Sequence, residues 1–326
     1  MEKLIFKSYA DLSNDIKRNL HLITQEGFEL IVGLPRSGMI PAYMISAYLN
    51  IDCTDIDSFV ANTKLQRGIT RTTKASLTYP QDAKKVLIVD DSVYSGKSMK
   101  LALDKMNIEI IEKIKTLAVY VNNDNPPFTD FYFEILNGKK LFEWGIFHNN
   151  IISNCCFDID GVLCRDPLID EDDDAEKYKD FIMNVEPLFL PTGRIHSLVT
   201  NRLEKYREPT ENWLKKHNVL YDNLIMVELS NKEDKNLIDA SVDNKAKYYK
   251  KSNTELFIES SLPQAEKIAV FAGKPVYCTD SNTYIDPSPL NKIIHNPSSY
   301  FSIQKNYWKH KVKVFLSPVL PKKYKV

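Results

Sequence analysis

The stretch Val86-Leu87-Ile88-Val89-Asp90-Asp91-Ser92-Val93-Tyr94-Ser95-Gly96-Lys97-Ser98-Met99 constrains this chain more than any other. Its apolar opening reads as a buried strand, and two carboxylates end that strand. A short loop of small residues follows, with Gly96 free to take a positive φ. Met99 to Leu103 then begins a helical pattern. A strand–loop–helix turn of this kind aims several backbone N–H groups at one point beside a helix N-terminus, which makes a cradle for a phosphate. Asp90 and Asp91 repel that phosphate. They suit sugar hydroxyls and, through them, Mg²⁺. Together the stretch asks for a sugar phosphate.

Asp90-Asp91, three residues, then Ser95-Gly96-Lys97-Ser98 resembles the PRPP-binding motif of the type I phosphoribosyltransferases. The resemblance implies that Asp90, Asp91, Ser92, Val93, Tyr94, Ser95, Gly96, Lys97 and Ser98 bind 5-phosphoribosyl diphosphate (PRPP). Lys97 either adds charge near the 5-phosphate or points to solvent. Upstream, the strand Phe28 to Val32 runs into Gly33-Leu34-Pro35-Arg36-Ser37-Gly38, and a helix follows from Pro41 to Leu49. Its glycines let the backbone approach an anion, and Arg36 offers a charge-assisted fork. This loop is similar to the pyrophosphate loop of the same family, which adds Arg36, Ser37 and Gly38 to the PRPP site. Cys53 to Thr73 is polar and turn-rich. In the family a mobile loop closes over PRPP at this point, and Arg67, Arg71 or Lys74 could reach the pyrophosphate. Closure would exclude water from an easily hydrolysed substrate. A solvated basic loop is the plainer alternative.

Before that loop, Met1 to Phe6 reads as an edge strand and Ala10 to Ile23 as an amphipathic helix. Strands are expected at Lys115 to Val121 and Asp130 to Leu136. The aromatic segment Leu141 to His148 is similar to one that closes the sheet in several phosphoribosyltransferases and can wall the acceptor site, although an aromatic run at this spacing is more often core.

A second strand ending in acids lies at Cys155-Cys156-Phe157-Asp158-Ile159-Asp160-Gly161. Alternation at a strand end puts Asp158 and Asp160 on one side. One can attack phosphorus while the other handles the proton, with Mg²⁺ on the phosphoryl oxygens. This resembles motif I of the haloacid dehalogenase-type phosphatases. Ile195 to Thr200, followed by Asn201-Arg202, resembles motif II, which implies that Thr200 binds the phosphoryl group. Lys245 is read as opening a helix that leads to the strand Leu256 to Glu259, and it stands 14 residues before Glu259. That separation suits the motif III lysine before a motif IV acid; Lys247 is the weaker candidate. The resemblance makes Asp158, Asp160, Thr200 and Lys245 the catalytic set, and Asp158, Asp160 and Glu259 the Mg²⁺ ligands. Ser260-Ser261 stand where a second motif IV acid is usual. A helix from Pro263 to Ala272 and a last strand from Pro275 to Cys278 complete the pattern. The segment Cys164 to Arg194 leaves little room for a cap, and its acidic run from Asp170 to Asp174 reads as a solvated loop.

Lys plus Arg and Asp plus Glu balance at 43 each, so bulk charge suggests no nucleic-acid partner. No apolar run is long enough to span a bilayer, and the N-terminus opens no signal peptide. Five cysteines without metal-site spacing read as reduced thiols in a cytosol. After Asp286 the chain is basic and aromatic with no acid. Such a tail suits peripheral contact with an anionic membrane face, or packing on a domain.

The expectation is an α/β chain of two Rossmann-like domains with mostly parallel sheets. A phosphoribosyltransferase domain spans 1–150, a phosphatase domain with little or no cap spans 151–286, and a tail spans 287–326. The combination resembles bacterial ribofuranosyl-transfer systems of surface polysaccharide assembly. It implies phosphoribosyl transfer from PRPP to a glycan or lipid-linked glycan hydroxyl, then removal of the 5-phosphate. Asp55, Asp57 and Asp91 are candidates for the general base by position. The alternatives are a nucleobase phosphoribosyltransferase coupled to a nucleotide phosphatase, and a PRPP-sensing regulator without catalysis.

Overall fold

The computed structural model describes residues 4–66, 68, 72–172, 175–228 and 237–287. The chain divides into two compact units, Met1–Gly145 and Ile146–Val326. Arg67, Arg71 and the tail beyond 287, with its expected membrane contact, lie outside the described residues.

Among the described residues, the first unit contains β1 (Leu4–Lys7), β2 (Leu30–Gly33), β3 (Asp52–Asp55), β4 (Val86–Val93), β5 (Ile114–Val121), β6 (Phe131–Ile135) and β7 (Lys139–Phe142). Five of these form a parallel sheet in the order β3-β2-β4-β5-β6. β1 and β7 pair separately, also in parallel. β4 lies between β2 and β5, so its apolar residues are buried on both faces, as a central parallel strand requires. It does not end at its carboxylates. Asp90 pairs with Ala118 and Ser92 with Tyr120, so the ladder carries on to Val93. Crossover geometry then brings the C-terminal ends of β2 and β4 together, and a site forms there.

The expected helix from Ala10 to Ile23 is two pieces, Tyr9–Asn19 and His21–Thr24. Ser8 caps the first piece in a reciprocal box with Asp11. Leu12 and Ile16 enter the core, and so does Asp15, only 1% exposed. Lys7 donates to Asp15 at 2.6 Å and the Tyr120 hydroxyl at 2.9 Å. Arg18 bonds to it as well, and the buried carboxylate is tolerated because these three donors meet it.

The second unit contains β8 (Cys155–Phe157), β9 (Ile195–Leu203), β10 (Tyr221–Val227), β11 (Leu256–Glu259), β12 (Val276–Cys278) and β13 (Thr283–Ile285). They form one sheet in the order β10-β9-β8-β11-β12-β13, parallel except for the last pair. The expected last strand is therefore followed by a further, antiparallel one. The acidic run is not a plain loop: Ile169–Asp172 is a short helix. Glu171 accepts from both ends of the Arg165 guanidinium at 2.7 Å and from the Leu168 amide. Lys245 lies within the helix Leu237–Lys251 rather than at its start. Among the described residues Trp213 is the largest fully buried side chain, and its indole donates to the Val185 carbonyl at 2.7 Å. Among the described residues no helix is long and apolar enough to cross a membrane.

Candidate active sites

In the first unit, Gly96 takes φ +69° and caps the helix Lys97–Leu103 without a side-chain bond. Its position is tight as well, since a Cβ there would stand 2.9 Å from Phe128 and Pro127. Tyr94, Ser95, Lys97 and Ser98 are exposed around this turn, while the Val93 side chain is buried with Ala118 and Val121. Val93 can therefore contribute only backbone to a ligand. Arg36 is exposed on the preceding loop, which turns through a cis Pro35–Arg36 peptide. Gly38 packs against β4 so closely that a Cβ would sit 2.9 Å from Asp90 Oδ1.

The two acids of β4 differ in environment. Asp91 Oδ1 accepts from Ser37 Oγ at 3.0 Å and from the Ser92 amide at 2.9 Å. Asp91 Oδ2 accepts from the Trp144 indole at 2.7 Å. Asp90 Oδ1 accepts from the Asp91 amide at 2.9 Å. Burial, and then the adjacent Asp91, push the Asp90 carboxyl up to about 8. Lys140 on β7 is pulled down to about 8 by burial, against the field of Asp91.

The Asp90 shift has a stability consequence. From its usual 3.8 up to about 8, the folded chain keeps a proton that the unfolded chain has lost. Stability therefore falls as pH rises through that window. Asp90→Asn removes this penalty. It should stabilise the first unit by on the order of 1–3 kcal/mol at pH 8, with a gain that shrinks toward pH 4. Urea titrations at the two pH values read the difference, and a constant gain would contradict it.

The other sequence candidates near this site are engaged elsewhere. Asp55 accepts from the amides of Asp57 and Ser58 and from the Ser58 hydroxyl, which makes it a helix cap. Burial works to raise the Asp55 pKa, but these bonds outweigh it and hold it low. Asp57 is exposed and pairs with Lys105 at 2.7 Å. Both acids are occupied by these contacts.

In the second unit β8 sits between β9 and β11, so the ends of all three converge. Lys245 Nζ, 1% exposed, lies 2.5 Å from Asp158 Oδ2 and 2.8 Å from Glu259 Oε2. Thr200, 2% exposed, sits on the neighbouring β9. Burial pushes the Asp158 carboxyl up to about 7 despite the pull of Lys245, with Glu259 and Asp160 adding to the rise. Burial opposes the charge on Lys245, but its two carboxylates outweigh that and raise its pKa.

Asp160 is gripped by Arg202, whose Nη2 lies 2.6 Å and Nε 3.1 Å from its oxygens. The Arg202 side chain is fully buried. The sequence reading assigned Arg202 no role. Period-two alternation from Thr200 along β9 was the signal that places it on the same side. A second unforeseen residue is Asp166, exposed, whose pKa is raised first by desolvation and then by Asp160 and Glu259. Gly161, at φ +77°, lets both neighbours approach: a Cβ there would stand 2.1 Å from Ser260 Oγ and 3.0 Å from Asp166 Oδ2.

The three carboxylates expected to hold Mg²⁺ already have protein donors. Asp158 accepts from Lys245 and the Ile159 amide, Asp160 from Arg202, and Glu259 from Lys245 and the amides of Ser260 and Ser261. Among the described residues no three His, Cys, Asp or Glu side chains gather into a metal-holding group. As arranged, the set does not fit a divalent ion, and no step below is routed through one.

Residues 3–149 match the family model of the phosphoribosyl transferase domain. The chain thus carries a phosphoribosyl transferase domain over its first unit. Solved structures similar to the chain include a purine phosphoribosyltransferase from Pyrococcus horikoshii, at 18% identity over 43% of this chain and 93% of that one, with a TM-score of 0.31. A hypothetical protein from Neisseria gonorrhoeae with bound ppGpp aligns at 16% identity over 44% of this chain and 90% of that one, with a TM-score of 0.31. A xanthine-guanine-hypoxanthine phosphoribosyltransferase from Helicobacter pylori aligns at 18% identity over 44% and 93%, again with a TM-score of 0.31. At that score these likenesses say nothing more about this chain. No curated protein matches it.

Proposed function

We propose that the chain transfers 5-phosphoribosyl from PRPP to a glycan hydroxyl and then removes the 5-phosphate to leave ribofuranose, in polysaccharide assembly. The observation that carries the first step is Asp90-Asp91 and the Gly96 turn, held inside a phosphoribosyl transferase domain. In that step the bond from C1 to pyrophosphate breaks and a bond from C1 to the acceptor oxygen forms. Pyrophosphate leaves with its electron pair. The acceptor hydroxyl gives up its proton to a base.

The second step rests on Asp158, Thr200 and Glu259 at the ends of three neighbouring strands, with Lys245 reaching Asp158 and Glu259 from the helix Leu237–Lys251. Asp158 attacks phosphorus, and the sugar oxygen leaves and takes up a proton. Water then hydrolyses the aspartyl-phosphate. Lys245 keeps Asp158 oriented. Arg202 can exchange its grip on Asp160 for phosphoryl oxygens, because a guanidinium binds either oxyanion in the same forked way. Asp160, once released, is placed to handle the proton. A nucleobase acceptor is the second reading, favoured by Trp144 beside Asp91, where a flat ring has an aromatic neighbour.

The test incubates the full chain with PRPP, with and without added Mg²⁺, against glycan fragments and against nucleobases. Asp158→Asn is run alongside, and products are read by mass spectrometry. The expected result is a ribosyl unit on the glycan with the parent and a phosphoribosyl unit with the variant. Nucleotide or nucleoside products would replace the glycan reading with the second one. PRPP binding without any product would favour a sensor.

A further inference from the structure

Trp144 is the one aromatic residue of the closing segment that bonds to the acid pair. The sequence reading placed it in a run that is most often core. Its ring does stack, on Phe142 at 4.7 Å and an interplanar angle of 5°. Phe142 stacks in turn on Tyr120 of β5 at 5.3 Å, and Tyr9 tilts against Trp144 at 5.6 Å. Packing alone leaves an indole N–H unsatisfied, and a partly buried donor finds an acceptor. Here the acceptor is Asp91 Oδ2, 2.7 Å away and 53 residues back along the chain.

Asp91 is thus held at both oxygens by side chains from two different places. Ser37 comes from the loop after β2 and takes Oδ1. Trp144 comes from the segment after β7 and takes Oδ2. A carboxylate so held has one rotamer, and its remaining lone pairs point in fixed directions. Asp90 has no such pair of side-chain donors: the bond it accepts at Oδ1 is from the Asp91 amide. β7 belongs to the small sheet with β1, whereas Asp91 belongs to the main sheet. The indole bond therefore ties the small sheet's exit to the strand that carries the acids.

We infer that Trp144 is a positioning residue: with Ser37 it fixes the Asp91 carboxylate for the PRPP ribose. Its aromatic stack transmits the placement of the β1–β7 sheet to that carboxylate. The inference rests on the PRPP reading above. Asp91 is held at both oxygens by side chains and Asp90 is not, so the pair does not act as two equivalent hydroxyl ligands.

The experiment measures PRPP affinity by calorimetry in Mg²⁺ for the parent, Trp144→Phe, Ser37→Ala and the double variant. Phenylalanine keeps an aromatic ring in the stack and removes the N–H. Losing one hydrogen bond to a charged group should weaken PRPP about tenfold in each single variant. Both act through the same carboxylate, so the double variant should depart from the product of the two effects by about threefold or more. Parent chain that binds no PRPP would fail the functional reading itself. Parent that binds, with Trp144→Phe within about twofold of it, would overturn the positioning role. Effects that simply multiply would overturn it too, because a residue that only packs does not couple to Ser37.

Discussion

Replacing Lys245 by Met is expected to destabilise the second unit by about 3–5 kcal/mol, the range for breaking a buried ion pair from one side. Met keeps most of the volume, so packing contributes little to the loss. What remains is Asp158 and Glu259, 5% and 1% exposed, with no ammonium between them. The loss should depend on pH. Asp158 already sits near 7 with Lys245 present, chiefly through burial, and without the lysine it protonates more readily still. At pH 5 the site can shed charge by taking up a proton. At pH 8 it can do so far less, so the penalty is larger there. Hydrogen exchange on peptides covering 155–160 and 256–260, alongside urea titration of the full chain, reads both points. A loss below about 1 kcal/mol at pH 8 would mean that the pair behaves as an exposed one.

Gly38→Ala is expected to cut PRPP turnover roughly 100-fold, the cost of misplacing reacting groups by about an ångström. The new Cβ would stand 2.7 Å from the Leu34 carbonyl, 2.9 Å from Asp90 Oδ1 and 2.9 Å from the Val89 carbonyl. Two of these neighbours are backbone and cannot step aside. The third is the acid itself. Gly38 has φ −63°, which alanine adopts freely, so the substitution tests close approach and not backbone strain. Pyrophosphate release from PRPP, followed with each acceptor pool, measures it. Unchanged release would mean that Asp90 tolerates displacement.

Much of the architecture was legible because the chain writes its strands as apolar runs with acids at their ends. Leu256–Glu259 emerges with the bounds read from sequence, and Asp158 comes beside Thr200 and Glu259 because β8 lies between the two strands that carry them, with Lys245 joining from a helix. Boundaries were less legible. Strand β4 runs past Asp91 because Ser92 and Val93 find partners on β5, and partner strands are invisible to a local reading. The helix that holds Lys245 begins further upstream than a local reading puts it, because Ser241, Asp243 and Asn244 carry low helix propensity. The long-range donors were hidden most deeply. Nothing near Trp144 announces Asp91, and the alternation that puts Arg202 on the side of Thr200 does not name Asp160 as its partner. Such pairings are properties of the folded core, formed between segments that are neighbours only in space.

The continuation of β4 through its acids has a bearing on how this domain can change. Asp90 and Ser92 are rungs of a ladder, bonded to Ala118 and Tyr120 on the adjoining strand. Moving the backbone at Asp90 or Asp91 means breaking sheet, so the end that handles the donor is mortised into the frame. The segment after β5 lies outside that ladder and can be rewritten without touching it. A lineage of such enzymes could therefore exchange one acceptor for another many times over while its hold on the activated sugar stayed the same.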